Sequence, residues 1–307
     1  MRIVFMGTPD FAVPCLEALI DAGHEIAAVY SQPDKPVGRK QIITPTPVKE
    51  CALKHNLTVC QPKSLRSEEQ LKQMLDFKPD VVAVVAYGKL IPSEMLKIAP
   101  LGFVNVHGSL LPKYRGAAPI QWAVVNGDKT SGVTTMMLNE GMDTGDILEV
   151  SETEIGENET AGELFDRLSE MGAELLLSTL KHIESGTVTP VKQDESAATT
   201  APIIKKEMAL LDFSQPAEKL KNIIRGFNPW PVAYTFLEGK RLKIYSAFVR
   251  KANGTIGTAD GTSGKLLVYC GDGTALELNE VQLEGSKRMS ATNLLMGHPI
   301  AKETKLG

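Results

Sequence analysis

FVNVHGSLLPKYRGAAP, residues 103–119, joins a short apolar run to a loop of Gly, Pro and basic residues. The run from Phe103 to Val106, bounded by Gly102 and Gly108, reads as a buried strand, yet Asn105 and His107 stand two positions apart at its end. Alternation along a strand puts both on one face. An amide and an imidazole are costly to bury unless they are hydrogen-bonded or used, and ligands of open α/β sheets bind beyond the carboxyl ends of the strands. The candidate site starts here.

Similar unalternated apolar runs recur on the N-terminal side: RIVFMG at 2–7, EIAAVYS at 25–31 and VVAVVAY at 81–87, with helical segments near 46–55, 67–76 and 93–99. Asp10 is placed to cap a helix that has Pro14 in its first turn. Strands of this kind separated by helices predict an α/β fold with a mostly parallel, Rossmann-like sheet covered on both faces. After GVTTMMLN at 132–139, the capping box Thr160/Glu163 opens a long helix that sends Leu164, Leu168, Met171, Leu175 and Ile183 toward the core and ends near Gly186. TVTPVKQDESAATTAPIIKK, 187–206, is polar and aperiodic and reads as a surface linker. A helix at 216–225 and the runs VAYTFL, RLKIYSAFV, GTIGTA, KLLVYC and ALELNEVQL, separated by Gly-rich turns, predict a second, smaller antiparallel β-barrel. The expected organisation is a catalytic domain over 1–189, a linker over 190–206 and a barrel over 207–307.

Composition excludes several classes. The chain has 307 residues, 43% of them hydrophobic and 23% charged, values of an ordinary globular protein. No apolar stretch has the length of a membrane span, and MRIVFMGTPDF lacks the ordered regions of a signal peptide, so the expected location is the cytoplasm. Cys15, Cys51, Cys60 and Cys270 form no CxxC pair and suggest no neighbouring histidine at metal-ligand spacing, so buried thiols are expected, with neither metal nor disulfides. Net charge is −4, but residues 1–206 hold 20 Lys+Arg against 27 Asp+Glu, whereas 207–307 hold 13 against 10. A basic C-terminal part is compatible with a nucleic-acid partner. The turn GTP at 7–9 has one glycine where the dinucleotide fingerprint needs three, which argues against nicotinamide binding.

MDTGDI at 142–147 adds Asp143, bracketed by Gly141 and Gly145. Each polar residue alone has a plain reading: a hydrogen-bonded core histidine, a turn-forming aspartate. Together they suit acyl transfer to an amine, whose tetrahedral intermediate needs donors for its oxyanion and an acceptor for the ammonium proton. Asn105 and His107 can donate to the oxygen, and Asp143 can orient His107 and hold the charge it acquires.

Asn105, His107 and Asp143, with the loop SLLPKYRGAAPI at 109–120, resemble the catalytic residues and signature loop of the folate-dependent formyltransferases. GTPDFAVPCLEAL, QPDKPVGRK, VVAVVAYGKLIP and GFNPWPVAYTF extend the likeness over nearly the whole chain, toward the members that act on initiator methionyl-tRNA; those acting on small amines match only the catalytic half. The resemblance implies 10-formyltetrahydrofolate as cosubstrate, bound by Tyr87, Gly88, Lys89, Leu90 and Ile91 together with Ser109, Leu110, Leu111 and Pro112. It also implies that Lys35, Arg39 and Lys40, in the loop at 32–46, reach into the acceptor stem of initiator tRNA. The C-terminal domain would be an OB-like barrel touching the tRNA backbone, the protein a monomer without metal. Either His107 or a bound water takes the amine proton. The competing expectations are transfer to a small amine and a noncatalytic RNA-binding protein.

Overall fold

In a computed structural model that describes residues 1–38 and 41–307, β1 (Arg2–Gly7) lies in the middle of the principal sheet and is buried at all positions but the first. From it the chain builds outward in both directions. β2 (Glu25–Tyr30) lies beside β1; the short hairpin β3 (Lys35–Val37) and β4 (Ile42–Thr44) stands apart; β5 (Val59–Cys60) completes that side. The chain then crosses to β6 (Val81–Val85) on the other flank of β1 and to β7 (Phe103–His107) beyond it. β8 (Arg115–Gly116) lies outside this sheet, and β9 (Thr130–Met137) and β10 (Ile147–Glu154) finish it in the order β10-β9-β7-β6-β1-β2-β5. All pairings from β5 to β7 are parallel, and β9 runs antiparallel to β7. The strand order reverses between β1 and β6, which is where a doubly wound sheet opens a crevice for ligand.

Helices α1 (Val13–Asp21), α2 (Pro47–Lys54), α3 (Glu68–Phe77) and α4 (Ser93–Leu96) fill the connections. Thr46 and Ser67 cap α2 and α3 through their hydroxyls. Asp10 caps no helix: a 3-10 turn, Asp10–Ala12, intervenes, and Ala12 takes the cap position. Pro14 still falls in the first turn, where no backbone donor is needed. The loop at 32–46 is not featureless, because β3 and β4 pair from Lys35 with Thr44 to Val37 with Ile42 and leave Ile42 and Ile43 exposed.

By compactness the chain divides into two interleaved units: Met1–Pro119, Ser131–Thr153 and Phe165–Ala201 make the first, and Ile120–Thr130, Glu154–Leu164 and Pro202–Gly307 the second. α5 (Pro119–Val125) and α6 (Ala161–Glu184) are the helices that bracket β9 and β10 in sequence. Thr160 and Glu163 cap α6 reciprocally, as the sequence predicts. Its buried row is Leu164, Leu168, Leu176 and Leu180; Met171, Leu175 and Ile183 are only half-buried, since the row advances by fours along one side of the helix.

β11 (Thr200–Ala201) ends the first unit. In the second, α7 (Ala217–Gly226) precedes β12 (Tyr234–Leu237), β13 (Lys240–Arg250), β14 (Thr258–Asp260), β15 (Leu266–Tyr269), β16 (Ala275–Leu283), β17 (Met289–Ser290), α8 (Ala291–Gly297) and β18 (Thr304–Lys305). The sheet order β12-β13-β16-β15-β14-β18 is antiparallel, and a bridge between Leu237 and Leu306 joins its two edges into a barrel around Leu242, Ile244, Val268, Leu276 and Val281. Closure removes the unpaired edges that would otherwise invite association.

Within this second unit, Arg225 donates to the carbonyls of Gly156 and Glu159, each at 3.2 Å. A fragment ending at Lys206 takes those partners away. Amides of residues 154–164 in such a fragment are expected to exchange hydrogen at least about tenfold faster than in the full chain, as for a segment moved to a less stable cooperative unit. Equal protection in the two would contradict the interleaved division.

Candidate active site

β7 is buried at all five positions, so its two polar side chains are fixed by the strand rather than by a loop. Asn105 lies opposite Val84 of β6 and Met136 of β9, and His107 opposite Thr134. Asn105 is 8% and His107 6% exposed. Among the described residues no group bonds the side-chain amide of Asn105. An unshared amide at an otherwise sealed strand end calls for a partner.

His107 Nε2 lies 2.9 Å from the carbonyl of Tyr114. A carbonyl only accepts, so Nε2 carries a proton in this arrangement. Nδ1 faces Asp143 Oδ2 at 3.7 Å, beyond hydrogen-bond distance. The orienting bond expected from Asp143 is thus supplied by Tyr114, and Asp143 Oδ2 instead accepts the Gly116 N–H at 2.8 Å. Both acidic and carbonyl partners sit on turned backbone: Tyr114 has φ 62° and Asp143 φ 53°. Left-handed conformations at such residues cost of order 1–3 kcal/mol and persist only where surrounding contacts impose them.

Those contacts come from the stretch 187–201, which the sequence presents as a plain linker. Val191 and Ile147 exchange two backbone bonds of 2.8 Å, and β11 pairs with β8 in parallel. Thr199 Oγ1 accepts the Tyr114 N–H at 2.8 Å. Gln193 donates from Nε2 to the carbonyls of Asp143 and Gly145, both at 2.8 Å, and its Oε1 accepts from Arg115 Nε and Nη2 at 3.0 and 2.8 Å. Arg115 also grips Glu195 through both Nη atoms, and that pairing holds its guanidinium further above its ordinary pKa. Arg115 belongs to the basic loop 109–120, but nothing local marks Gln193, whose partners are 48 to 78 positions away.

The segment expected to hold folate follows β6 at the strand reversal. The Tyr87 carbonyl accepts from Thr8 Oγ1 at 3.0 Å and Gln32 Nε2 at 3.1 Å, tying it to the turns after β1 and β2. The Tyr87 ring is buried in the core, its hydroxyl has no partner among the described residues, and burial pushes it up to about 12. Only its backbone is therefore available to a ligand. Gly88 has φ 79°; Lys89 Nζ is occupied by the carbonyls of Pro62 and Lys63; Leu90 is 72% exposed; Ile91 is half-buried against the core. Of the second group, Ser109 is buried and donates to the Lys113 carbonyl, Leu111 is buried, and Leu110 and Pro112 are half-buried.

Lys35 is exposed on β3 and, after burial, is the second influence lowering the pKa of Lys89. Arg39 and Lys40 lie outside the described residues. The reading of the cysteines needs one correction: Cys51 and His55, one turn apart along α2, and Glu17 of α1 bring their ligand atoms within 4.8 Å of one another. Burial first, then Glu17, pushes the Cys51 thiol up to about 11, and the thiol donates to Glu17. Among the described residues no helix is long and apolar enough to cross a membrane.

The family model described as formyl transferase matches residues 1–180, and that of the formyl transferase C-terminal domain matches 203–299. The methionyl-tRNA formyltransferase of Lachnospira eligens is 47% identical over 315 residues, covering 100% of both chains. The chain belongs to the methionyl-tRNA formyltransferase family. The member from Acidobacterium capsulatum is 49% identical over 310 residues, again covering 100% of both. Among solved structures, the N-formyltransferase of Helicobacter canadensis, in complex with folinic acid and dTDP-3-aminofucose, has a TM-score of 0.70 at 19% identity, with 91% of this chain and 98% of that one covered. HypX of Aquifex aeolicus, in complex with tetrahydrofolic acid, has a TM-score of 0.65 at 17% identity; the match takes in 98% of this chain and 48% of that longer one. At such identities the structural likeness establishes the fold.

Gly116 has φ 121°, and a Cβ there would stand 2.8 Å from the Ala201 carbonyl. Gly116→Ala is expected to destabilise the protein by about 1–3 kcal/mol, the range for a strained backbone position. Chemical denaturation measures this, and an unchanged midpoint would show that β8 and β11 are not tightly apposed.

Proposed function

We propose that Asn105, His107 and Asp143 transfer the formyl group of 10-formyltetrahydrofolate to the α-amino group of methionyl initiator tRNA. The observation that carries this reading is the unbonded amide of Asn105 beside an imidazole whose protonated nitrogen is already assigned. Relatives named for this reaction and aligned end to end with the chain support it over transfer to a small amine.

The residues divide the chemistry as follows. The amine nitrogen bonds to the formyl carbon and the carbonyl electrons move to oxygen, where the Asn105 amide donates to the developing charge. With its Nε2 proton engaged by Tyr114, His107 has Nδ1 to accept the ammonium proton, directly or through a water. Asp143, 3.7 Å from Nδ1, stabilises the positive ring that results. Collapse breaks the bond from the formyl carbon to the folate nitrogen, which leaves with a proton returned from His107. The folate itself is read onto the backbone from Tyr87 to Gly88, at the strand reversal, with Leu90 and Ile91 as apolar contacts and the loop from Ser109 to Pro112 as its outer wall.

For the second substrate, Lys35 and the neighbouring Arg39 and Lys40 are assigned to the acceptor stem, and the barrel, with its surplus of basic residues, to the tRNA backbone. The division of labour follows: chemistry in residues 1–189, the stretch 190–206 bracing that site before it leads to the barrel, and tRNA backbone over 207–307.

Asp143→Asn retains an oxygen that can accept from Gly116, so the loop is kept while the charge is lost. Turnover is expected to fall roughly a hundredfold or more, as when a group supporting a general base or oxyanion donor is removed; near-normal steady-state turnover would refute the assignment. Arg39→Ala is expected to lower kcat/KM for methionyl-tRNA by about 1–3 kcal/mol, the range for a specific contact to nucleic acid. Formyl-folate binding, measured by titration, should be unaffected. An equal loss with initiator and altered acceptor stems would reduce the contact to nonspecific phosphate binding.

A further inference from the structure

Two loops meet at His107, and each is also braced there from outside itself, by Thr199 and by Gln193. The loop 108–118 reaches the ring through the Tyr114 carbonyl, and the loop 139–146 through Asp143. Each has a left-handed, non-glycine residue at the point of contact, Tyr114 at φ 62° and Asp143 at φ 53°. Their link to one another at the ring is the Gly116 N–H donated to Asp143 Oδ2.

Gln193 supplies a second link a few atoms away. Its amide is used from both ends: Nε2 donates to the carbonyls of Asp143 and Gly145, and Oε1 accepts the Nε and Nη2 protons of Arg115, the residue before Gly116. A primary amide is the side chain that offers two donors and an acceptor in one plane, and here all are engaged. Gly145 lets its own loop lie against the end of β9, because a Cβ there would fall 1.6 Å from the Met137 carbonyl. Gln193 is itself anchored by the paired backbones of Val191 and Ile147 on one side and of β11 and β8 on the other.

We infer that Gln193 is a positioning residue for the formyl-transfer step, bridging the Asp143 loop to Arg115 and so setting the separation of Asp143 from His107. The stretch 190–201 is thereby part of the active site rather than a tether. The inference rests on the reading of His107 and Asp143 as the acid-base pair. A displacement of about 1 Å at such a pair can cost a hundredfold in rate with little change in affinity, because binding contacts made elsewhere are untouched. Arg115→Lys would not replace the fork that Gln193 Oε1 accepts.

The test is Gln193→Glu in the full-length protein. Glutamate keeps the length and an acceptor for Arg115 but can no longer donate to the carbonyls of Asp143 and Gly145. We expect kcat to fall at least tenfold, with KM for formyl-folate and for methionyl-tRNA within twofold of the parent and an unchanged melting temperature. Gln193→Met, lacking both functions, should lose at least as much. In an Asp143→Asn background, Gln193→Glu should lower kcat by less than twofold further, since its effect passes through Asp143. Parental kcat in Gln193→Glu would overturn the inference, as would a full additional loss in the Asp143→Asn background or a fall confined to KM. Near-normal turnover in Asp143→Asn alone would instead overturn the reading of the catalytic pair, a separate result from the same four proteins.

Discussion

The Tyr114 carbonyl that accepts from His107 Nε2 is the constraint on which the site depends, because it settles the ring's tautomer before any substrate arrives. With that proton committed, Nδ1 is the nitrogen left for chemistry, and Asp143 stands near it without bonding to it. The carbonyl is aimed at the ring only because Tyr114 adopts a left-handed conformation, and Thr199 holds that conformation through the Tyr114 N–H. A rigid strand presents Asn105 and His107; a strained loop, braced from a distant part of the chain, determines how they can be used.

The sheet places this apparatus as its topology requires. The chain starts in the middle, builds one flank, returns to build the other, and leaves its reversal between β1 and β6. The Tyr87 carbonyl, bonded to Thr8 and Gln32, joins the loops at that reversal, one strand away from Asn105. HypX of Aquifex aeolicus and the N-formyltransferase of Helicobacter canadensis share the fold at 17–19% identity, while full-length relatives at 47–49% identity carry the family assignment. Fold and reaction are thus supported by different observations.

Much of this was legible in the sequence where structure is set by local pattern. Uninterrupted apolar runs marked β1, β2, β6 and β7, and the pairing of Thr160 with Glu163 marked the start of α6, because burial and capping leave their signatures within a few residues. Asn105 and His107 stood out as polar residues at the end of a buried strand. Arg115, Gln193 and Thr199 could not be read in the same way. Their order comes from bonds to partners 48 to 85 positions distant, so the stretch 187–201 has the composition of a linker and the structure of a strap. The β3–β4 hairpin leaves no signature for a related reason: its few residues alternate too briefly to announce a strand. For α6 the pattern marks the correct helix but sends Met171, Leu175 and Ile183 to a core that Leu176 and Leu180 occupy, a drift of one to three positions around a cylinder.

The central claim is that the unbonded amide of Asn105 stabilises the oxyanion formed when the amine attacks the formyl group. Single-turnover formylation of methionyl-tRNA by Asn105→Ala, at saturating formyl-folate, tests it most directly. Removing one oxyanion donor typically costs about 10²–10³ in rate, so a fall of that size with unaltered folate affinity is the predicted result. A single-turnover rate equal to the parent's would contradict the account.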